Sequence, residues 1–129
     1  MHRLGLLLLL FLTVTSSAGA DDTPGRKFVV FFQEWSAAID EPAQSVIRQA
    51  SEWVKSHPGT TARVDGFADP TGSREANILL SDLRAQVVID QLISDGVDPN
   101  QVLRRGNGPV QFALTSQESR RVEVSIDRR

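Results

Sequence analysis

The chain has 129 residues, 23% of them charged, a formal net charge of −2 and no cysteine. That length holds one domain, the mild acidity argues against a nucleic-acid partner, and the missing thiols exclude disulfides, cysteine metal sites and a lipid-accepting cysteine. Two histidines in the whole sequence do not make a metal-binding cluster, so no metal and no cofactor is expected.

Met1-His2-Arg3 sets a positive charge before a leucine-rich run from Leu4 to Val14, and Ser16-Ser17-Ala18-Gly19-Ala20 offers a small-x-small cleavage site. Residues 1–20 therefore read as a secretory signal peptide, because the apolar run falls short of the ~20 residues that span a membrane. Retention as an anchor is the alternative. Cleavage after Ala20 leaves 129 − 20 = 109 residues. Residues 21–27, with Pro24-Gly25, read as a flexible tether, and 28–129 as the folded domain.

Residues 28–32 form a continuous apolar run of a buried strand. A connector follows at 33–40; its Trp35 either caps the core or lines a site, and the core is the preferred place. Residues 41–57 predict the first helix: Pro42 suits an early helical position, and Ala43, Val46, Ile47, Ala50, Trp53 and Val54 fall on one face. His57-Pro58-Gly59 ends it. The second strand, 61–68, alternates Ala62, Val64, Gly66 and Ala68 against Thr61, Arg63, Asp65 and Phe67. Gly66 marks a close backbone approach.

The turn Asp69-Pro70-Thr71-Gly72 leads into a second helix at 73–95, with Ser73 as N-cap. Ala76, Leu79, Leu80, Leu83, Val87 and Ile93 supply its apolar face, and Gly96 suits the left-handed position beyond its end. Residues 102–105 are a short third strand, 106–109 a turn, 110–118 a loop. Residues 121–127 alternate Val122, Val124 and Ile126 inward with Glu123 and Ser125 outward, a strand with one solvated face. The order β-α-β-α-β-β implies an α/β chain of the α+β two-layer kind: two helices packed on one face of a mixed four-stranded sheet.

Asn77 and Arg84 are seven residues apart on the second helix, nearly two turns, so both point the same way about 10 Å apart along the axis, with Ser81 between them. The turn brings Asp69 to that face. A separated acid–base pair with an amide between suits a ligand carrying both an ammonium and a carboxylate.

The spacing of Gly66, Ala68, Asp69, Gly72, Asn77, Leu80, Ser81, Arg84, Ala85 and Val88 resembles the signature of the OmpA-like C-terminal domain, the peptidoglycan-associated family. Val30-Phe31-Phe32, Arg105-Gly106-Asn107-Gly108 and Ser119-Arg120-Arg121-Val122-Glu123-Val124 extend the likeness over residues 28–126. The resemblance implies a non-catalytic domain of the periplasm or cell envelope. Its Asp69 and Arg84 would hold the diaminopimelate residue of the peptidoglycan stem peptide, with Asn77 assisting and Ser81, Thr71 and Ala68 beside them. Three positions depart from the family pattern: Ala68 stands where Thr is frequent, Gln33-Glu34-Trp35 where the loop often carries Asp, and Ser119 where Asn is usual.

Taken singly, these residues have plainer readings. Arg84 is then an exposed charge paired with Asp82 or Asp90, Asp69 a turn former, and Asn77 a local backbone partner. Together, at the family spacing, they read as a binding site. Two other functions compete. A wall hydrolase would pair Asp65 with Asp69, or Glu34 with Asp69. An adaptor for envelope proteins would use a basic patch of Arg104, Arg105, Arg120 and Arg121.

Overall fold

Alternating apolar residues give this chain strands with one face to bury, and two helices bury it. The computed structural model describes residues 25–69, 71–104, 111–112 and 118–128. The expected signal peptide and cleavage site, the start of the tether (21–24), Pro70, the turn at 106–109 and most of the 110–118 loop lie outside the described residues. Among the described residues no helix is long and apolar enough to cross a membrane.

The elements are β1 (Arg26–Phe31), α1 (Glu41–Ser56), β2 (Thr60–Ala68), α2 (Arg74–Ser94), β3 (Val102–Arg104), β4 (Gln111–Phe112) and β5 (Arg121–Arg128). The strands run in the order β1-β5-β2-β3, so the last strand enters the slot between the first two. It pairs antiparallel with both, Phe28 opposite Val124 and Val64 opposite Val124 on the other side. Strand β3 lies parallel to β2, and the two residues of β4 continue that edge beside Phe67 and Ala68. This is the expected mixed four-stranded sheet with both helices on one face. Strand β4 is an addition within the stretch read as loop. Strand β1 also begins two residues before the expected domain start, because Arg26 and Lys27 pair with Ile126 and Ser125.

The core lies between sheet and helices. Val30, Val64, Val122, Val124 and Ile126 meet Ile47 and Val54 of α1 and Val88 and Leu92 of α2. Helix α1 is capped by Asp40, whose carboxylate accepts from the Ala43 N–H at 2.9 Å, and its buried face is the expected one. The other sheet face is open and charged: Arg63 pairs with Asp65 and Asp127, and Lys27 and Arg121 with Glu123. Strand β1 is therefore not buried on both sides as its apolar run implies. Phe31 faces the open side and is 60% exposed.

Helix α2 departs most from expectation. Its buried residues are Asn77, Ser81, Arg84, Ala85, Val88, Ile89 and Leu92. Leu79 is 66% exposed, and Leu83, Ala76 and Ile93 are also exposed. The helix turns its small and polar stripe to the sheet because β2 comes very near it. A Cβ on Gly66 would stand 2.6 Å from the Ser81 carbonyl oxygen, so only glycine fits there. The close approach expected of Gly66 is thus made to the backbone of α2.

The end of α2 is tied as its sequence indicates. Gly96 has φ +103°, its N–H donates to the Ile93 carbonyl, and the Val97 N–H donates to the Leu92 carbonyl. That pair of bonds is a Schellman closure.

Candidate functional site

At the end of the sheet where β2 stops, Asp69, Asn77 and Arg84 line one shallow cleft of about 30 Å³, together with Glu34, Trp35, Phe67, Leu80, Ser119 and Arg120. Ser81 lies beneath, fully buried, its hydroxyl donating to the Ile78 carbonyl at 2.8 Å. Ala68 is buried at the end of β2.

The turn is built around Asp69. Its Oδ1 accepts from the Thr71 N–H at 2.8 Å and the Thr71 hydroxyl at 2.7 Å, an Asx-type turn that fixes the carboxylate. The Ser119 hydroxyl reaches Oδ2 at 3.5 Å. Gly72 takes φ +79°, which lets the chain reverse into α2. The Ser73 hydroxyl caps the helix by accepting from the Ala76 N–H at 3.3 Å. Asn77 donates its amide to the carbonyls of Asp69 at 3.2 Å and Thr71 at 2.6 Å. Its amide nitrogen therefore holds the turn, as the plainer reading of Asn77 has it.

Arg84 is not the exposed surface charge of its plainer reading. It is only 4% exposed, while Asp82 pairs with Arg104 and Asp90 accepts from Gln86. Its Nε donates to the Ser36 carbonyl at 2.7 Å and its two terminal nitrogens to the carbonyls of Gln33 at 2.9 Å and Ser119 at 3.3 Å. The guanidinium also lies 5.4 Å from the Phe32 ring centroid, within cation–π reach. Burial, and next to it the charge of Arg120, lower its pKa; an arginine nevertheless stays protonated. Among the described residues no carboxylate forms an ion pair with it. The result is a buried cation held by neutral carbonyl dipoles, with five N–H groups of which three are engaged by these carbonyls.

Three other cleft residues lie outside the expected binding set: the sequence reading takes Glu34 as a hydrolase carboxylate, Arg120 as part of a basic patch, and Trp35 as a core cap in preference to a site residue. Glu34 and Arg120 form a rim ion pair at 3.7 Å. Trp35 is 71% exposed, so it does not cap the core: it sits in the tight turn in which the Ser36 N–H bonds the Gln33 carbonyl. Its φ is +56°, the left-handed region that side-chain-bearing residues rarely adopt. Two signals point to it in the sequence: its setting, an aromatic alone among Gln33, Glu34 and Ser36, and its place in the loop where the family often carries Asp.

Of the other constellations, Glu34 and Asp69 do line this one cleft, and the rest disperse. Asp65 belongs to the open sheet face, bound to Arg63 at 3.7 Å, and β2 ends before it could share a strand face with Asp69. Arg104 turns to α2, where it reaches Asp82 at 3.0 Å and Gln86 at 3.0 Å, whereas Arg121 lies over the Phe67 ring at 3.9 Å on the open side. Arg105 lies outside the described residues. The described arginines of the expected basic patch do not gather.

The sequence profile described as the OmpA family matches residues 31–124. A probable lipoprotein of Escherichia coli, YiaD, is 29% identical over 103 residues, covering 75% of this chain and 47% of that protein. The peptidoglycan-associated lipoprotein of Rhizobium meliloti is 33% identical over 73 residues, covering 57% of this chain and 42% of that protein. The chain thus spans less than half the length of these two relatives. Among solved structures, the peptidoglycan-associated lipoprotein from Burkholderia pseudomallei superimposes with a TM-score of 0.64 at 25% identity, covering 78% of this chain and 90% of that one.

Proposed function

The chain belongs to the OmpA family, and from that premise we propose that it binds peptidoglycan in the bacterial cell envelope without turning it over. The ligand group is the zwitterionic end of diaminopimelate in the stem peptide. The observation that carries this reading is Arg84: a buried cation, unpaired with any described carboxylate, lining the same cleft as Asp69. A ligand carboxylate would supply the missing anion as a charge-assisted partner, and the ammonium on the same carbon would turn to Asp69. Asn77 and Thr71 serve by holding the turn that presents Asp69.

Lysine ends in an ammonium without a carboxylate. Lysine-type stem peptides would leave Arg84 as it is and bind more weakly. Affinity is modest, because a small polar cleft buries little apolar area. A hydrolase acid needs a desolvated carboxyl, and the Glu34 side chain is 65% exposed. Residues 1–20, acting as a signal peptide, would deliver the domain to the periplasm, and with no cysteine it would arrive unlipidated.

The test is co-sedimentation with sacculi of the diaminopimelate type, beside Asp69→Asn, which keeps the side chain's shape. The parent should pellet and the variant, still folded by circular dichroism, should stay in solution. A parent that stays in solution would mean that the fold persists without this site, and attention would pass to protein partners in the envelope.

A further inference from the structure

We propose that the Trp35 indole is an apolar platform at the cleft rim, on which the methylene chain of the bound diaminopimelate residue lies. The inference rests on the binding reading above and adds to it the part of the ligand that neither charge can hold. Asp69 and Arg84 address the zwitterionic head. The atoms that follow it are methylenes, and these leave a polar cleft that has Glu34, Asp69, Arg84 and Arg120 in its walls. The large exposed apolar surface offered to them at the rim is Trp35.

Three observations single it out. A tryptophan 71% exposed in a short loop leaves much apolar area in water, a surface that gains from a covering group. It holds a left-handed backbone at φ +56°, and such strain persists only where the surroundings impose it. Here they do: Arg84 bonds the carbonyls of Gln33 and Ser36, on either side of Glu34-Trp35. The residue that would receive the ligand carboxylate therefore also fixes the platform, so head group and methylene chain meet a pre-set surface.

The chain has two tryptophans, and Trp53 is stacked on His57 at 3.7 Å, away from the cleft. Trp53→Phe thus isolates the Trp35 emission in the full domain. Free diaminopimelate should shift that emission to the blue, and an N-acetylglucosamine oligomer without peptide should not. Trp35→Gly accepts the positive φ without strain, so it should fold at least as well as the parent while binding free diaminopimelate about tenfold more weakly. Equal affinity of parent and Trp35→Gly would overturn the platform and leave the charged site standing. No binding by the parent would overturn both. An emission shift caused by the sugar oligomer would assign the indole to the glycan and overturn the methylene assignment.

Discussion

Gly66→Ala tests the contact on which the spacing of Asp69 and Arg84, the proposed ligand-binding charges, depends. The added Cβ would stand 2.6 Å from the Ser81 carbonyl oxygen, 3.2 Å from its carbon and 3.5 Å from the Ser81 Cβ. Ordinary contact begins near 3.4 Å, so strand and helix must part by about 0.8 Å at this point. The obstruction is backbone on both sides, with no flexible side chain to swing away. Overpacking of this kind costs ~1–3 kcal/mol, and replacing glycine returns ~0.4–1 kcal/mol by restricting the unfolded chain. The net destabilisation is about 1–2 kcal/mol, a fall in Tm of roughly 5–15 °C for a domain of this size.

Asp69 lies three residues beyond Gly66 and Arg84 three beyond Ser81, so the displacement passes to the cleft. Affinity for diaminopimelate sacculi should fall although no ligand contact is changed. Urea unfolding followed by circular dichroism gives the stability, and co-sedimentation gives the binding. An alanine variant as stable as the parent would refute the close approach of β2 to α2.

Arg84→Lys keeps the charge but cannot fork to the carbonyls of Gln33, Ser36 and Ser119. It should cost ~2–3 kcal/mol and raise amide exchange selectively at residues 33–36, read by hydrogen–deuterium mass spectrometry. Asn77→Ala removes the bonds to the Asp69 and Thr71 carbonyls; a loss of ~1–2 kcal/mol in urea unfolding should accompany weaker binding. Gly96→Ala forces φ +103° on a residue with a Cβ and should lower stability by ~1 kcal/mol with sacculus binding unchanged, since Gly96 does not line the cleft.

Much of this architecture is written locally in the chain. Pro42, Ser73 and Gly96 mark helix ends by their own backbone chemistry, and the alternation at 121–127 gives its strand one wet face. The seven-residue spacing puts Asn77, Ser81 and Arg84 on one side of α2 whatever surrounds the helix. Which side faces the sheet is another matter. Counting apolar residues selects Leu79 and Leu83, yet the helix buries Asn77 and Arg84, because five side-chain bonds to backbone carbonyls satisfy them there. All five of those carbonyls belong to segments outside the helix and its cap, beyond the reach of periodicity. The entry of β5 between β1 and β2 is likewise a long-range choice that no local pattern carries. Trp35 stands outside by backbone conformation, and a single position in a loop has no period to read.

The pairing of β1 with β5 also sets how the domain would carry force. Arg26 lies opposite Ile126, and Thr60 opposite Arg128, at one end of the sheet; Phe31 lies opposite Arg121 at the other, beside the cleft. Tension entering at Arg26 and leaving through a ligand in the cleft would run along the strands. The β1–β5 hydrogen bonds would then be sheared together, with Arg84 fastening the far end of β1 to its neighbours through Gln33 and Ser119. Tension between Arg26 and Arg128 would act at one end only and peel the same bonds apart in succession. The domain is thus mechanically directional: strong when pulled between Arg26 and the cleft, weak when Arg26 and Arg128 are drawn apart.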